Sequence, residues 1–190
     1  MEGSGGRRDR RGQIPDRKMT GERPEAVNKK VRVGDWEGDT IEGAGKTAYI
    51  ATFVGKTTKF LLGEVMPNKA AATLGAAVVR AFRSIPAGSL KTLTVDNGKE
   101  FSGHKALARD LQCDIYFAHP YHSWERGLNG HTNGLIRQYL PKGTSFETLD
   151  QERLDTIVEK IKALAHRLRK SLEYRTPNEV FSEHLFALQI

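Results

Sequence analysis

The stretch GDWEGDTIEGAGKTAYIATFVGKTTKFLLGEVM, residues 34–66, decides the architecture. Three strand-like runs, Gly34 to Ile41, Thr47 to Phe53 and Lys59 to Met66, are separated by Glu-Gly-Ala-Gly and Gly-Lys-Thr-Thr. Both separators are turn signals, and connections this short join antiparallel neighbours. Beyond them, Asn68 can cap a helix in which Leu74, Val78, Phe82 and Ile85 recur at helical spacing until Pro86 and Gly88 stop it. Leu90 to Val95 reads as a fourth strand, His104 to Leu111 as a short helix and Asp114 to Ala118 as a fifth strand. Strand, helix, strand in that order implies a parallel pair. The expectation is an α/β fold: a five-stranded mixed sheet, three antiparallel strands then two parallel, flanked by helices.

Toward the C-terminus the period changes to that of helices. One helix is expected from Ser123 to Tyr139, before Pro141 and Gly143, and a longer one from about Leu149 to Leu172. Thr148 and Gln151 have capping-box spacing, and Leu154, Ile157, Val158, Ile161, Leu164, Ala165 and Leu168 form one apolar stripe. The opposite face carries Lys160, Lys162, Arg167, Arg169 and Lys170, which reads as solvated surface. Tyr174 to Phe181 reads as a capping turn and a short closing helix.

Composition bounds the remainder. With 190 residues and 38% hydrophobic content, one core-bearing domain with polar additions is expected. No run of 18 apolar residues and no apolar stretch behind the basic N-terminus is present, so neither a membrane span nor a secretory signal is readable. An intracellular protein is expected. The single cysteine, Cys113, lies in a strand-like run and reads as a core residue. Of the net charge of +7, residues 1–30 supply +4, from nine basic and five acidic side chains. That segment is rich in Gly, Arg and Pro and lacks an apolar period. It reads as a disordered or extended basic arm, either a linker or a phosphate-binding tail, ahead of a core spanning 31–190.

Candidate chemistry rests on acids at strand ends, where a rigid sheet can hold a hard cation within reach of a long substrate. Asp39 and Asp96 are the two. Strand alternation puts Asp35, Glu37 and Asp39 on one face, a costly clustering of like charge that invites a metal. Asp96 closes the fourth strand, followed by the tight exit Asn97-Gly98.

Four ordered motifs place these acids in context: Gly34 to Ile41, Asp96 to Phe101 (Asp-Asn-Gly-Lys-Glu-Phe), Tyr116 to Gly127 (Tyr-Phe-Ala-His-Pro-Tyr-His-Ser-Trp-Glu-Arg-Gly) and Asn133 to Thr144. In combination they resemble the DDE transposases of the insertion-sequence-thirty family across nearly all of residues 31–184, with a distant similarity to retroviral integrase cores. The resemblance implies a ribonuclease-H-like fold in which two aspartates and one glutamate bind two Mg2+ or Mn2+ ions. It further implies phosphodiester cleavage and strand transfer on DNA, transposon ends and target alike, in a homo-oligomer of the bacterial cytoplasm or nucleoid. Asp39 and Asp96 match the two aspartates. The family's glutamate follows after 33 residues, which here is Gly130.

A glycine offers no side-chain ligand, so catalysis is expected to be impaired. Glu125 lies about 140° around the helix from position 130, and Glu37 lies about 7 Å along the strand from Asp39, within reach of an ion only through water. His131 is a poor ligand for magnesium. The resemblance also implies that His122, Trp124, Arg126 and Lys142 flank the active face and contact DNA. Two rival readings use the same residues: a non-catalytic DNA-binding or assembly module that keeps the fold, and a nuclease that cuts without joining.

Overall fold

The structure, a computed structural model, describes residues 14–120, 122, 127–164, 172 and 175–187. Its centre is the predicted antiparallel unit: β2 (Asp35–Glu42), β3 (Tyr49–Gly55) and β4 (Leu61–Met66), paired in register from Trp36↔Gly55 to Glu42↔Tyr49 and from Tyr49↔Met66 to Val54↔Leu61. β5 (Thr92–Val95) lies parallel to β2, and β6 (Asp114–Phe117) parallel to β5. The sheet has six strands, not five. The additional one, β1 (Lys18–Met19), pairs parallel with β6 at the edge, giving the order β1-β6-β5-β2-β3-β4. It arises in the segment expected to be an arm, because two residues of strand leave no alternation in a sequence.

From Ile14 onward that segment crosses the sheet. A 3-10 turn at Thr20–Glu22 and the one-turn helix α1 (Glu25–Lys29) follow β1, and Val27 of α1 is fully buried. The Arg17 guanidinium donates to the Asn97 side chain, and Arg23 Nη1 donates to Thr94 Oγ1 at 3.2 Å.

Alternation along the strands divides the interior into two cores, one on each face. On one face, Trp36, Phe53, Leu93, Val95 and Phe117 meet α2 (Ala71–Phe82) and α3 (His104–Asp110) through Leu74, Val78, Phe82 and Leu107. Trp36 anchors this layer. Its indole Nε1 donates to Ser89 O at 2.8 Å, and its ring meets Phe82 edge-on at 4.9 Å. Cys113 is buried here, as expected, and burial pushes its thiol up to about 11. On the other face, Ile41, Ile50 and Leu61 pack under α4 (Gly127–Tyr139) and α5 (Gln151–Leu164) through Ile136, Leu154, Ile157, Val158 and Ile161.

Helix termini show one exchange between expectation and structure. Thr148 and Gln151 form no capping box. Asp150 Oδ1 accepts from the Arg153 N–H at 2.8 Å instead, while Gln151 turns to β4, its Nε2 donating to Gly63 O at 2.8 Å and its Oε1 accepting from the Val65 N–H at 2.9 Å. The reciprocal box belongs to Thr176 and Glu179, at the start of α6 (Pro177–Ala187): the Thr176 N–H donates to Glu179 Oε2 at 2.7 Å and the Glu179 N–H to Thr176 Oγ1 at 3.1 Å. Phe181 of α6 then stacks on Phe60 at 4.4 Å, closing the first core. Lys162 is buried rather than solvated, its ammonium 4.1 Å from the Phe60 ring centroid. The expected helix start at Ser123 and the continuation of α5 toward Leu172, with Ala165, Leu168 and the basic residues Arg167, Arg169 and Lys170, lie outside the described residues.

Candidate active site

β2 and β5 run side by side, and the pairs Asp35↔Thr92, Trp36↔Leu93 and Glu37↔Thr94 fix what comes next. Continued two residues past its last pair, that register would set Asp39 opposite Asp96, which follows β5 directly, at a strand spacing of about 4.8 Å. Leu93 and Val95 enter the first core, so Thr92, Thr94 and Asp96 belong to the opposite face, as do Asp35, Glu37 and Asp39.

The predicted row of carboxylates is present, but its like charge is answered residue by residue. Arg32 grips Asp35 through Nε and Nη2, both at 3.0 Å, and Thr92 Oγ1 adds a third bond at 2.8 Å. Glu37 accepts from Lys56 Nζ at 3.0 Å and from the Asn129 N–H at 3.2 Å. Both of its oxygens are therefore engaged within the protein. Lys56 is only 3% exposed; burial pulls its pKa down, against the stabilising charge of Glu37.

Asp39 and Asp96 are held differently. Asp39 Oδ1 accepts from the Thr40 N–H at 2.9 Å, and its Oδ2 accepts from Asn133 Nδ2 at 3.0 Å. Thr52 Oγ1 donates to Asn133 Oδ1 at 3.1 Å, which fixes the orientation of that amide. Asp96 Oδ1 accepts from the Gly98 N–H at 2.9 Å. α4 is thus tied to β2 twice, Asn129 to Glu37 and Asn133 to Asp39. The spacings agree: two strand residues span about 6.8 Å, four helical residues about 6 Å.

Gly130 sits between those ties, exposed and one turn before Asn133, and a Cβ built there would meet nothing within 4 Å. The position opens into space without a ligand. Among the described residues, no three His, Cys, Asp or Glu side chains converge as a metal site.

Residues 32–123 match the integrase core domain family. Over 173 residues the chain is 43% identical to the transposase for insertion sequence element IS4351 of Bacteroides fragilis, covering 91% of this chain and 52% of that one. It is 34% identical over 159 residues to transposase InsI for insertion sequence element IS30A of Escherichia coli K12, covering 84% and 40%. The chain is a DDE transposase catalytic domain. It spans only 52% and 40% of the length of these two relatives.

The transposase domain's fold has solved counterparts. The catalytic core domain of BIV integrase superposes with a TM-score of 0.61 at 15% identity, covering 84% of this chain and 100% of that one. A chain of the simian T-cell lymphotropic virus intasome, solved with PP2A regulatory subunit B56 gamma, gives 0.57 at 17% identity over 70% and 51%. Both likenesses support the ribonuclease-H-like architecture.

Of the other anticipated residues of the transposase domain, His122 and Lys142 lie among the described residues. His122 is half-buried, its ring 5.4 Å from that of His119, whose Nδ1 is 2.9 Å from Thr20 Oγ1. Lys142 is exposed three residues beyond the far end of α4, whose last residue lies about 14 Å from position 130 by helical rise. Trp124, Arg126 and Glu125 lie outside the described residues.

Three residues near the aspartates escaped the sequence reading. Asn133 carried a signal, being one turn from position 130 within a quoted motif. Glu100 is 4% exposed and accepts from Thr40 Oγ1 at 3.2 Å and Lys69 Nζ at 2.9 Å. Burial works against the Lys69 ammonium, but its bond to Glu100 and the charges of Glu100, Asp96 and Glu42 outweigh that and raise its pKa. Nothing in the Pro67-Asn68-Lys69 turn announces that cation.

Proposed function

We propose that this domain is the core for metal-dependent DNA cleavage and strand transfer in transposition, with its activity lowered by the glycine at position 130. The observation that carries the reading is the parallel pairing of β2 with β5, whose register, continued two residues past Glu37↔Thr94, brings Asp39 opposite Asp96, with α4 presenting open space at position 130 one turn from the Asp39–Asn133 bond. Two carboxylates suit one Mg2+ or Mn2+ ion whose other positions are filled by water and phosphate oxygens; a second ion would lack its third protein carboxylate. When bound, such an ion activates the attacking oxygen and offsets charge on the phosphodiester. The chain's own groups orient the ligands: Thr40 and Asn133 hold the Asp39 carboxylate, and the Gly98 N–H holds Asp96. DNA is the proposed partner, in a homo-oligomer within the bacterial cytoplasm or nucleoid; among the described residues no helix is long and apolar enough to cross a membrane.

Loss of one of three carboxylates is expected to lower the rate by roughly a thousandfold, about 4 kcal/mol of barrier. Gly130→Glu is expected to restore nicking of transposon-end DNA in Mn2+ or Mg2+. The open space accommodates the new side chain, and thermal stability of the variant should become metal-dependent. If Gly130→Glu stays inert in Mn2+, position 130 is not the missing ligand. The same glycine supports a second reading, a DNA-binding or assembly module without catalysis; salt-dependent DNA binding indifferent to Asp96→Asn, with no cleavage by either protein, would favour it.

A further inference from the structure

A carboxylate outside the proposed metal site touches the groups that hold both of its aspartates. Glu100 lies in the 3-10 turn Lys99–Gly103 that follows Asp96, and it is 4% exposed. Its Oε1 accepts from Thr40 Oγ1 at 3.2 Å, and the Thr40 N–H donates to Asp39 Oδ1 at 2.9 Å. The same carboxylate lies so close against Gly98 that a Cβ there would displace it, and the Gly98 N–H donates to Asp96 Oδ1 at 2.9 Å.

These contacts cross the sheet. Asp39 and Thr40 are neighbours on β2, so their side chains leave on opposite faces. Asp39 meets Asn133 of α4 on one side. Thr40 stands on the other, opposite Ala51 of the first core, where Glu100 meets it. The bond from the Thr40 hydroxyl to Glu100 therefore anchors, from the far face, the residue whose backbone N–H holds Asp39.

A buried carboxylate near two others is costly, because like charges disfavour one another's ionised forms. Lys69 offsets that cost. Its ammonium, between β4 and α2, lies 2.9 Å from Glu100 Oε1. Burial works against this ammonium, while its bond to Glu100 and the charges of Glu100, Asp96 and Glu42 favour it. One cation thus serves Glu100 and the neighbouring aspartate together. With its charge met, Glu100 acts as a hydrogen-bond acceptor whose orientation is fixed by burial.

We infer that Glu100 is a positioning residue, which sets the Asp39 carboxylate through Thr40 and the seat of Asp96 through Gly98, with Lys69 as its counter-cation. The inference rests on the transposase reading for what the aspartates then bind, and it assigns Glu100 no contact with ion or DNA.

The side-chain amide of Asn133 reports on this relay, because it donates to Asp39 Oδ2 at 3.0 Å from the opposite face. The full chain is compared with Glu100→Ala, Glu100→Gln and Thr40→Val by NMR without metal. Glu100→Ala and Thr40→Val break the relay at different points and should shift the Asn133 side-chain resonances alike. Glu100→Gln keeps an acceptor for Thr40 and should restore most of that shift. The Gln151 side-chain amide, bonded to Gly63 O at 2.8 Å, should stay in place and marks an intact fold. A packing role for Glu100 would leave Asn133 unmoved by Thr40→Val. If Glu100→Ala does not fold, the isosteric Thr40→Val decides alone. Calorimetric titration with Mn2+ is the second readout: both relay-breaking variants should bind several-fold more weakly than the parent, and Glu100→Gln should lose less. Unmoved Asn133 resonances in folded Thr40→Val, or moved resonances with unchanged Mn2+ affinity, overturns the inference. A parent chain that binds no Mn2+ counts against the catalytic reading instead, and the Asn133 resonances then decide the role of Glu100 by themselves.

Discussion

Residue by residue, what could be read in advance depended on whether a side chain's role is local. Cys113 is a local case: a strand position in an apolar run predicts burial, and burial disfavours its thiolate. The consequence is measurable. The unfolded thiol loses its proton near 9.0 and the folded one at about 11. Stability from this difference is therefore intact below pH 9 and drains away as the pH climbs toward 11, by on the order of 2 kcal/mol. Urea melts across that window should show a smaller loss for Cys113→Ala than for the parent; equal slopes would assign the loss to other groups. Asp39 and Asp96 stood out because each lies within a long motif; Asp96 follows β5 directly, whereas Asp39 falls mid-strand in β2 rather than at the expected strand end. The Glu37–Lys56 pair did not, since it joins a residue of β2 to one 19 positions on, in the turn after β3, and only the register of β2 against β3 decides that they meet. Glu100 hid for a related reason. It folds back over Gly98, where an added Cβ would lie 2.4 Å from its carboxylate, a contact that no spacing rule anticipates.

Among the elements, strands and long helices emerged from periodicity, while short pieces and caps did not. α1 has five residues, too few to display a helical period, yet it buries Val27 completely. Thr148 and Gln151 satisfied the capping-box pattern and Thr176 and Glu179 satisfied it equally; spacing does not choose between them, and the Gln151 side chain is taken by β4. The true box has an energetic signature. Thr176→Ala should cost about 1 kcal/mol in a denaturant melt, and it should loosen Phe181 from Phe60 and Trp36, visible as faster amide exchange through α6. Unchanged exchange there would mean that the aromatic stack alone holds the helix. The two ties from α4 to β2 also belong to this scale. Because helix rise and strand rise nearly match over that interval, the helix cannot slide along the sheet without breaking both, so the backbone that carries position 130 is fixed even where its side chain is lost.

Taken whole, the domain is one sheet with a core on each face, and the sheet is common to both. Leu74→Ala on one face and Leu154→Ala on the other should each remove about 2–5 kcal/mol from the same unfolding transition, since both side chains are 1% exposed or less. Two separated transitions in either variant would show that the faces unfold independently. The overall charge of +7 was visible from the start, but its distribution was not: the Arg23 and Lys30 of an unpatterned segment end up facing Lys56 across a cavity. Sheet topology also explains the work of Gln151. β4 is an edge strand, and an edge of this length is a ready template on which a strand from another molecule can dock and propagate. The Gln151 amide occupies the Gly63 carbonyl and the Val65 N–H as a seventh strand would, yet it offers nothing for an eighth. Growth of the sheet past β4 is therefore capped at that point by one side chain.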